Sequence, residues 1–166
     1  MHICLIEATW HKDLVAEIRR GFVAEICRDG DARVEVVTVP GIFEIPLQAK
    51  LVSKRGRVDA IVAAGVIVTG GIYQYEYIAS AVVCALMDIQ VEFEVPILSA
   101  LFTPLESADV EAERYFLRHA ELKGREVADA CRQVLGLARH SSKSPKLSRS
   151  ADTIIRKRRG DESESS

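Results

Sequence analysis

Four short apolar runs recur along the chain, Ile3 to Ile6, Val34 to Val39, Ala60 to Val68 and Ile97 to Phe102, with amphipathic stretches between them. The first two read as β-strands, the second because it is rich in β-branched residues. Ala60 to Val68 is almost wholly apolar, as a strand covered on both faces must be, and Ile97 to Phe102 repeats that character. Leu14, Ile18, Phe22 and Ile26 stand four residues apart and predict one face of a helix. A second helix is predicted over Glu44 to Ser53, where Pro46 is tolerated in the first turn because its missing N–H has no intrahelical partner there. Further helices are predicted over about Tyr75 to Gln90, Ala108 to His119 and Arg125 to Leu137, with Lys123-Gly124 separating the last two. This alternation predicts an α/β domain: a four-stranded parallel sheet between helices on both faces, joined by right-handed crossovers into a three-layer αβα sandwich. No internal repeat is visible.

Length and composition agree with that picture. At 166 residues, 48% hydrophobic and 28% charged, with five prolines, the chain reads as one globular domain, away from disordered, collagen-like or coiled-coil classes. No apolar run reaches the ~18 residues of a membrane span. The first strand starts at once, with no basic flank or cleavage site, so the expected location is the cytoplasm. The net charge of −2 hides an asymmetry, for the stretch from Ser141 carries seven bases and four acids. That serine-rich stretch is near +3 and the body near −5. Residues 1–140 are therefore read as the single domain and 141–166 as a disordered tail, too poor in large apolar groups to offset the entropy of ordering. The basic cluster Arg156-Lys157-Arg158-Arg159 lacks neighbouring aromatic residues for base stacking, so no nucleic-acid partner is expected. Cys4, Cys27, Cys84 and Cys131 stand singly in apolar stretches and read as buried free thiols, without the close pairing of zinc or redox sites.

Ligands of parallel sheets sit beyond the carboxyl ends of the strands. That rule singles out Glu7 to His11, Pro40 to Glu44, Thr69 to Tyr73 and Thr103 to Leu105. Trp10 can stack on a planar heterocycle there or simply pack. Gly70-Gly71, between a buried strand and a helix, can present N–H groups to a phosphate or merely turn the chain, and it lacks the Walker A and GxGxxG patterns. Glu44 can accept hydrogen bonds from ligand hydroxyls or favour a helix N-terminus electrostatically. His11 and His119 are the histidines nearest possible chemistry, and most of Tyr73, Tyr75 and Tyr77 are read as packing groups. Nothing has metal-ligand spacing such as HExxH.

The segment Val39-Pro40-Gly41-Ile42-Phe43-Glu44-Ile45-Pro46 resembles the VPGxxEIP segment of the lumazine synthases, matching it at every fixed position. Ala60 to Tyr77 is similar to that family's strand, glycine loop and helix, and Lys123-Gly124 stands in the place of its lysine-glycine pair. The resemblance runs from about Ile3 to Leu137. It implies a flavodoxin-like αβα fold and a transferase of the penultimate step of riboflavin biosynthesis. That enzyme condenses 5-amino-6-ribitylamino-pyrimidinedione with dihydroxybutanone phosphate to give dimethyl-ribityl-lumazine, with loss of phosphate and water and no metal or redox cofactor. Trp10 and Gly70-Gly71-Ile72-Tyr73 look most like the branch that assembles as pairs of pentamers.

By position, the resemblance implies that Trp10 stacks on the pyrimidine and that Gly41, Ile42 and Glu44 hold the ribityl chain. It implies that Ile67 and Val68 read the pyrimidine edge through their backbone and that Gly71 and Ile72 bind the phosphate. A neighbouring subunit completes that phosphate site, with Arg114, Arg118, His119 and Lys123 as candidates. The family's histidine after the glycine loop is Gln74 here, which can hydrogen-bond but cannot shuttle a proton near neutral pH. Holding two reactants together is worth up to ~7 to 11 kcal/mol of barrier, against ~10²-fold to 10⁴-fold for general acid-base help. The expectation is a working synthase with an altered proton-transfer residue, catalysis resting on Gln74 and His119. The alternatives are a lumazine- or flavin-binding oligomer and an assembly scaffold.

Overall fold

The computed structural model describes residues 1–67, 75–102 and 110–143, without the side chains of 75, 110–114 and 138–143. The elements in chain order are β1 (His2–Ala8), α1 (Lys12–Ile26), β2 (Arg33–Val39), α2 (Glu44–Arg55), β3 (Ala60–Val66), α3 (Tyr75–Phe93), β4 (Ile97–Phe102) and α4 (Val110–Lys143). The four strands form one parallel sheet in the order β2-β1-β3-β4. Every residue of β3 is buried, as its unbroken apolar run requires, while β2, at the sheet's edge, is largely exposed. The chain divides into two compact units, residues 1–136 and 137–166. Of the second unit only the end of α4 is described, and the expected tail lies outside the described residues from 144 onward.

Side chains alternate across the strands and build two cores. Ile3, Leu5, Val62 and Ala64 pack with Ile18, Phe22 and Ile26 of α1 and with Ala120, Val127 and Cys131 of α4. Cys4, Ile6, Ile61 and Ala63 pack on the other face with Ile45, Ala49 and Val52 of α2 and Val82 and Leu86 of α3.

Two helices were expected where the structure has one: α4 runs unbroken through Lys123-Gly124. Gly124 serves a close helix crossing and ends nothing. A Cβ on Gly124 would stand 2.1 Å from the Ile18 carbonyl oxygen, and a Cβ on Gly21 of α1 would stand 2.1 Å from that of Glu121. The two glycines let the backbones of α1 and α4 touch. Around the crossing, Glu121 accepts from Arg20 and Arg125, both at 2.7 Å, and Arg132 donates to the last carbonyls of α1, Glu25 and Ile26, at 2.9 Å. A guanidinium is favoured at that negative helix end.

One packing expectation is corrected. Cys4 and Cys131 are buried, which pushes both thiols up to about 11, and Cys27 is half-buried, but Cys84 is exposed. Tyr77 is exposed as well. Both lie on the side of α3 turned away from the sheet, where an apolar sequence does not imply burial within this chain. Tyr73 and the side chain of Tyr75 lie outside the described residues.

Candidate functional site

Adjacent strands β1 and β3 send their following helices to opposite faces of the sheet, and at such a reversal a crevice opens beyond the carboxyl ends. A cleft of about 360 Å³ lies there, lined by Trp10 and His11 after β1, Pro40 to Glu44 after β2, Val66 and Ile67 at the end of β3, and Ile78 of α3. Local hydrogen bonds fix its walls. Thr9 donates its backbone N–H to the Val39 carbonyl at 3.0 Å and its hydroxyl to the Pro40 carbonyl at 2.7 Å, so Trp10 and His11 are held beside Gly41. Ile67 donates to the Phe102 carbonyl at 2.8 Å, tying the end of β3 to the end of β4. Gly65 lets Ile42 settle on β3, since a Cβ there would meet Ile42 Cγ2 at 2.9 Å.

The lining is mainly apolar, and its ionisable side chains among the described residues are His11 and Glu44. Glu44 opens α2, where a carboxylate complements the helix dipole, and its Oε2 lies over Gly41, 3.1 Å from where a Cβ would stand. Trp10 is 69% and Phe43 63% exposed, so neither ring is consumed by packing within this chain. His11 caps α1 with φ 54° and ψ 46°, in the left-handed region, and its side chain makes no capping hydrogen bond. Histidine tolerates that conformation better than most residues, yet it costs about 1–3 kcal/mol.

Of the residues singled out in the sequence, the cleft therefore gathers Trp10, His11, Pro40 to Glu44 and Ile67. Val68, Gly71, Ile72 and Gln74 lie outside the described residues. Arg118, His119 and Lys123 do not line the cleft of their own chain. They sit on α4, across the sheet from α2 and α3, with His119 stacked on Tyr115 at 5.8 Å and 5.6 Å from Phe102. Lys123 follows His119 by one turn and lies 3.8 Å from Glu126. Sequence reasoning missed Val66 and Ile78 of the lining. The four-residue spacing of Phe43, Leu47 and Leu51 marks an apolar stripe, but only the fold shows that it points outward.

Among the described residues no three His, Cys, Asp or Glu side chains gather as metal ligands do, and no helix is long and apolar enough to cross a membrane.

Residues 1–139 match the family model described as 6,7-dimethyl-8-ribityllumazine synthase. A protein of Bradyrhizobium diazoefficiens named 6,7-dimethyl-8-ribityllumazine synthase 2 is 45% identical over 139 residues, covering 82% of this chain and 84% of its own. One of the same name from Pseudomonas syringae pv. tomato is 44% identical over 140 residues, covering 82% of each. The 6,7-dimethyl-8-ribityllumazine synthase of Rhodococcus erythropolis is 43% identical over 131 residues, covering 77% of this chain and 84% of its own.

Proposed function

The chain belongs to the 6,7-dimethyl-8-ribityllumazine synthase family, and from that membership we propose how its cleft carries out the family's reaction. The chain is a transferase of riboflavin biosynthesis that condenses 5-amino-6-ribitylamino-pyrimidinedione with dihydroxybutanone phosphate, releasing phosphate and water. Trp10 stacks on the pyrimidine, Gly41, Ile42 and Glu44 hold the ribityl hydroxyls, and Ile67 with Val68 reads the ring edge. Gly71 and Ile72 take the phosphate, and Gln74 hydrogen-bonds beside it. The observation that carries this reading is the convergence of Trp10, Gly41, Ile42, Glu44 and Ile67, from three separate strand ends, on a single cleft. Two substrates held side by side there react as if at very high concentration.

The working form in this proposal is an oligomer of pentamers, ten subunits in preference to sixty, in the cytoplasm, with residues 1–140 as the folded domain of each. Two features support it. Phe43, Leu47 and Leu51 at α2, and Val83, Met87 and Val91 on α3, are exposed apolar side chains at four-residue spacing, a surface that a lone soluble chain rarely displays. Phe43 also lines the cleft, so a subunit seated on this surface reaches the cleft's rim. Arg118, His119 and Lys123, turned away from their own cleft, are then available to a neighbour's phosphate.

Purified protein mixed with both substrates should produce the absorbance of the lumazine. Binding of a lumazine analogue should quench the fluorescence of Trp10, the single tryptophan. Quenching without turnover would make the protein a binder instead, and sedimentation as a monomer at micromolar concentration would remove the shared site.

A further inference from the structure

We propose that His11 is a catalytic residue, the group that carries protons during the condensation in the cleft; this rests on the reaction assigned above. Among the described residues lining the cleft, His11 is the one whose side chain can both give and take a proton near neutral pH. The other ionisable side chain there, Glu44, opens α2 with its Oε2 over Gly41, the place given above to the ribityl hydroxyls.

The local structure points the same way. His11 holds the cap of α1 in a left-handed conformation that a glycine or asparagine would adopt more readily, and its exposed ring makes no capping hydrogen bond. The imidazole thus gives the helix cap no hydrogen bond. A strained backbone carrying such a ring, at the mouth of an apolar cleft beside Trp10, is where a functional demand outweighs local stability.

The step is balanced without any co-reactant. The pyrimidine's amine adds to the ketone and gives a carbinolamine. The His11 imidazolium gives its proton to the carbinolamine hydroxyl as the C–O bond breaks, and water leaves. The nitrogen lone pair forms the C=N bond, leaving an iminium. Neutral imidazole then takes the iminium N–H proton, so His11 ends as it began and the net loss is one water.

Among the described residues, Lys12 and Asp13 follow His11 in α1, and Glu44 shares the cleft from the start of α2. Val66 and Ile67 of the β3 end and Ile78 of α3 carry no charge.

The test compares wild type with His11→Asn, which keeps the left-handed backbone accessible, and with His11→Gly. Single-turnover rates of lumazine formation are measured between about pH 5 and 8, where imidazole titrates. His11→Asn should lower the chemical rate by ~10²-fold or more and lose a pH-dependent limb that wild type has. Both variants should still show Trp10 quenching by a lumazine analogue, and added imidazole should partly restore His11→Gly. An unchanged rate in His11→Asn overturns the proposal. So does a limb that survives in His11→Asn, which then belongs to the substrate phosphate, to Glu44 or to the His119 that a neighbouring subunit supplies, and so does loss of Trp10 quenching with no imidazole rescue, which makes the residue structural. If wild type forms no lumazine, the assigned reaction fails and this role with it, whereas turnover that is indifferent to His11 sinks this role alone.

Discussion

The two faces of the sheet are finished differently. The side carrying α1 and α4 is closed within one chain: the helices touch backbone to backbone at Gly21 and Gly124, and their polar groups find each other through Glu121, Arg20, Arg125 and Arg132. The side carrying α2 and α3 buries its inner residues as well, but its outer surface stays apolar at Leu47, Leu51, Val83, Met87 and Val91. The first layer ends mainly in ion pairs, with Tyr115 and Leu122 of α4 exposed beside them, and the other in apolar side chains spaced four residues apart. The lesson is that the helices of the first layer find their polar partners within one chain, whereas the second layer presents an apolar stripe that adjoins the cleft through Phe43.

The largest expected effect tests the open side. Met87→Asp with Val91→Asp should abolish assembly, read as a sedimentation shift to small species, while far-UV circular dichroism of the chain stays unchanged. Retained assembly would mean that α3 is not the contact surface.

On the closed side, Gly124→Ala should cost about 3 kcal/mol or more in denaturant unfolding at fixed subunit concentration, because the new methyl meets the backbone of α1. Alanine is favoured over glycine in a helix by ~1 kcal/mol, so the clash must outweigh propensity. The sign should reverse for Gly136→Ala in the same helix, where no described atom lies within 4 Å of the new Cβ and a gain of about 0.5–1 kcal/mol is expected.

Arg19→Ala should cost about 1.5–3 kcal/mol, since Glu7 is 7% exposed and its Oε1 takes a 2.6 Å hydrogen bond from Arg19, while Oε2 is buried with no hydrogen-bond partner among the described residues. Arg19 is itself half-exposed, which places the effect below that of a fully buried pair. Replacing both residues, Glu7→Leu with Arg19→Ala, should recover much of the loss.

The smallest effect concerns pH. The hydrogen bond from Arg125 holds the Glu121 carboxyl below its ordinary value near 4.5, aided by the nearby Arg20 charge and opposed by burial. A depressed carboxyl contributes stability above its unfolded value, and that contribution is lost as the pH falls through the folded one. Glu121→Gln should therefore be slightly less stable than wild type near neutrality and equal to it in strong acid, as thermal melts across the acid range would show.

The hydrophobic pattern alone determined the order of the elements and the parallel sheet. β4 runs over the residues expected, Ile97 to Phe102, and β1, β2 and α1 differ from expectation by a few residues at their ends. Such runs are legible because burial on both faces of a strand, or on one face of a helix, demands apolar side chains at fixed spacing. The motif Val39 to Pro46 likewise pointed to the family and to Gly41, Ile42 and Glu44. What pattern cannot carry is contact between distant segments. Lys123-Gly124 reads as a break until α1 is seen pressed against it, and Cys84 reads as buried until α3 is seen to turn it outward. His11 and His119 were the two histidines the sequence set apart, and what chooses between them for the cleft, a left-handed backbone and a seat on the lining, arises only when three strand ends meet. Local periodicity is written in neighbouring residues, whereas a crossing, an exposed face and a cleft depend on which distant residues the fold brings within a few ångströms.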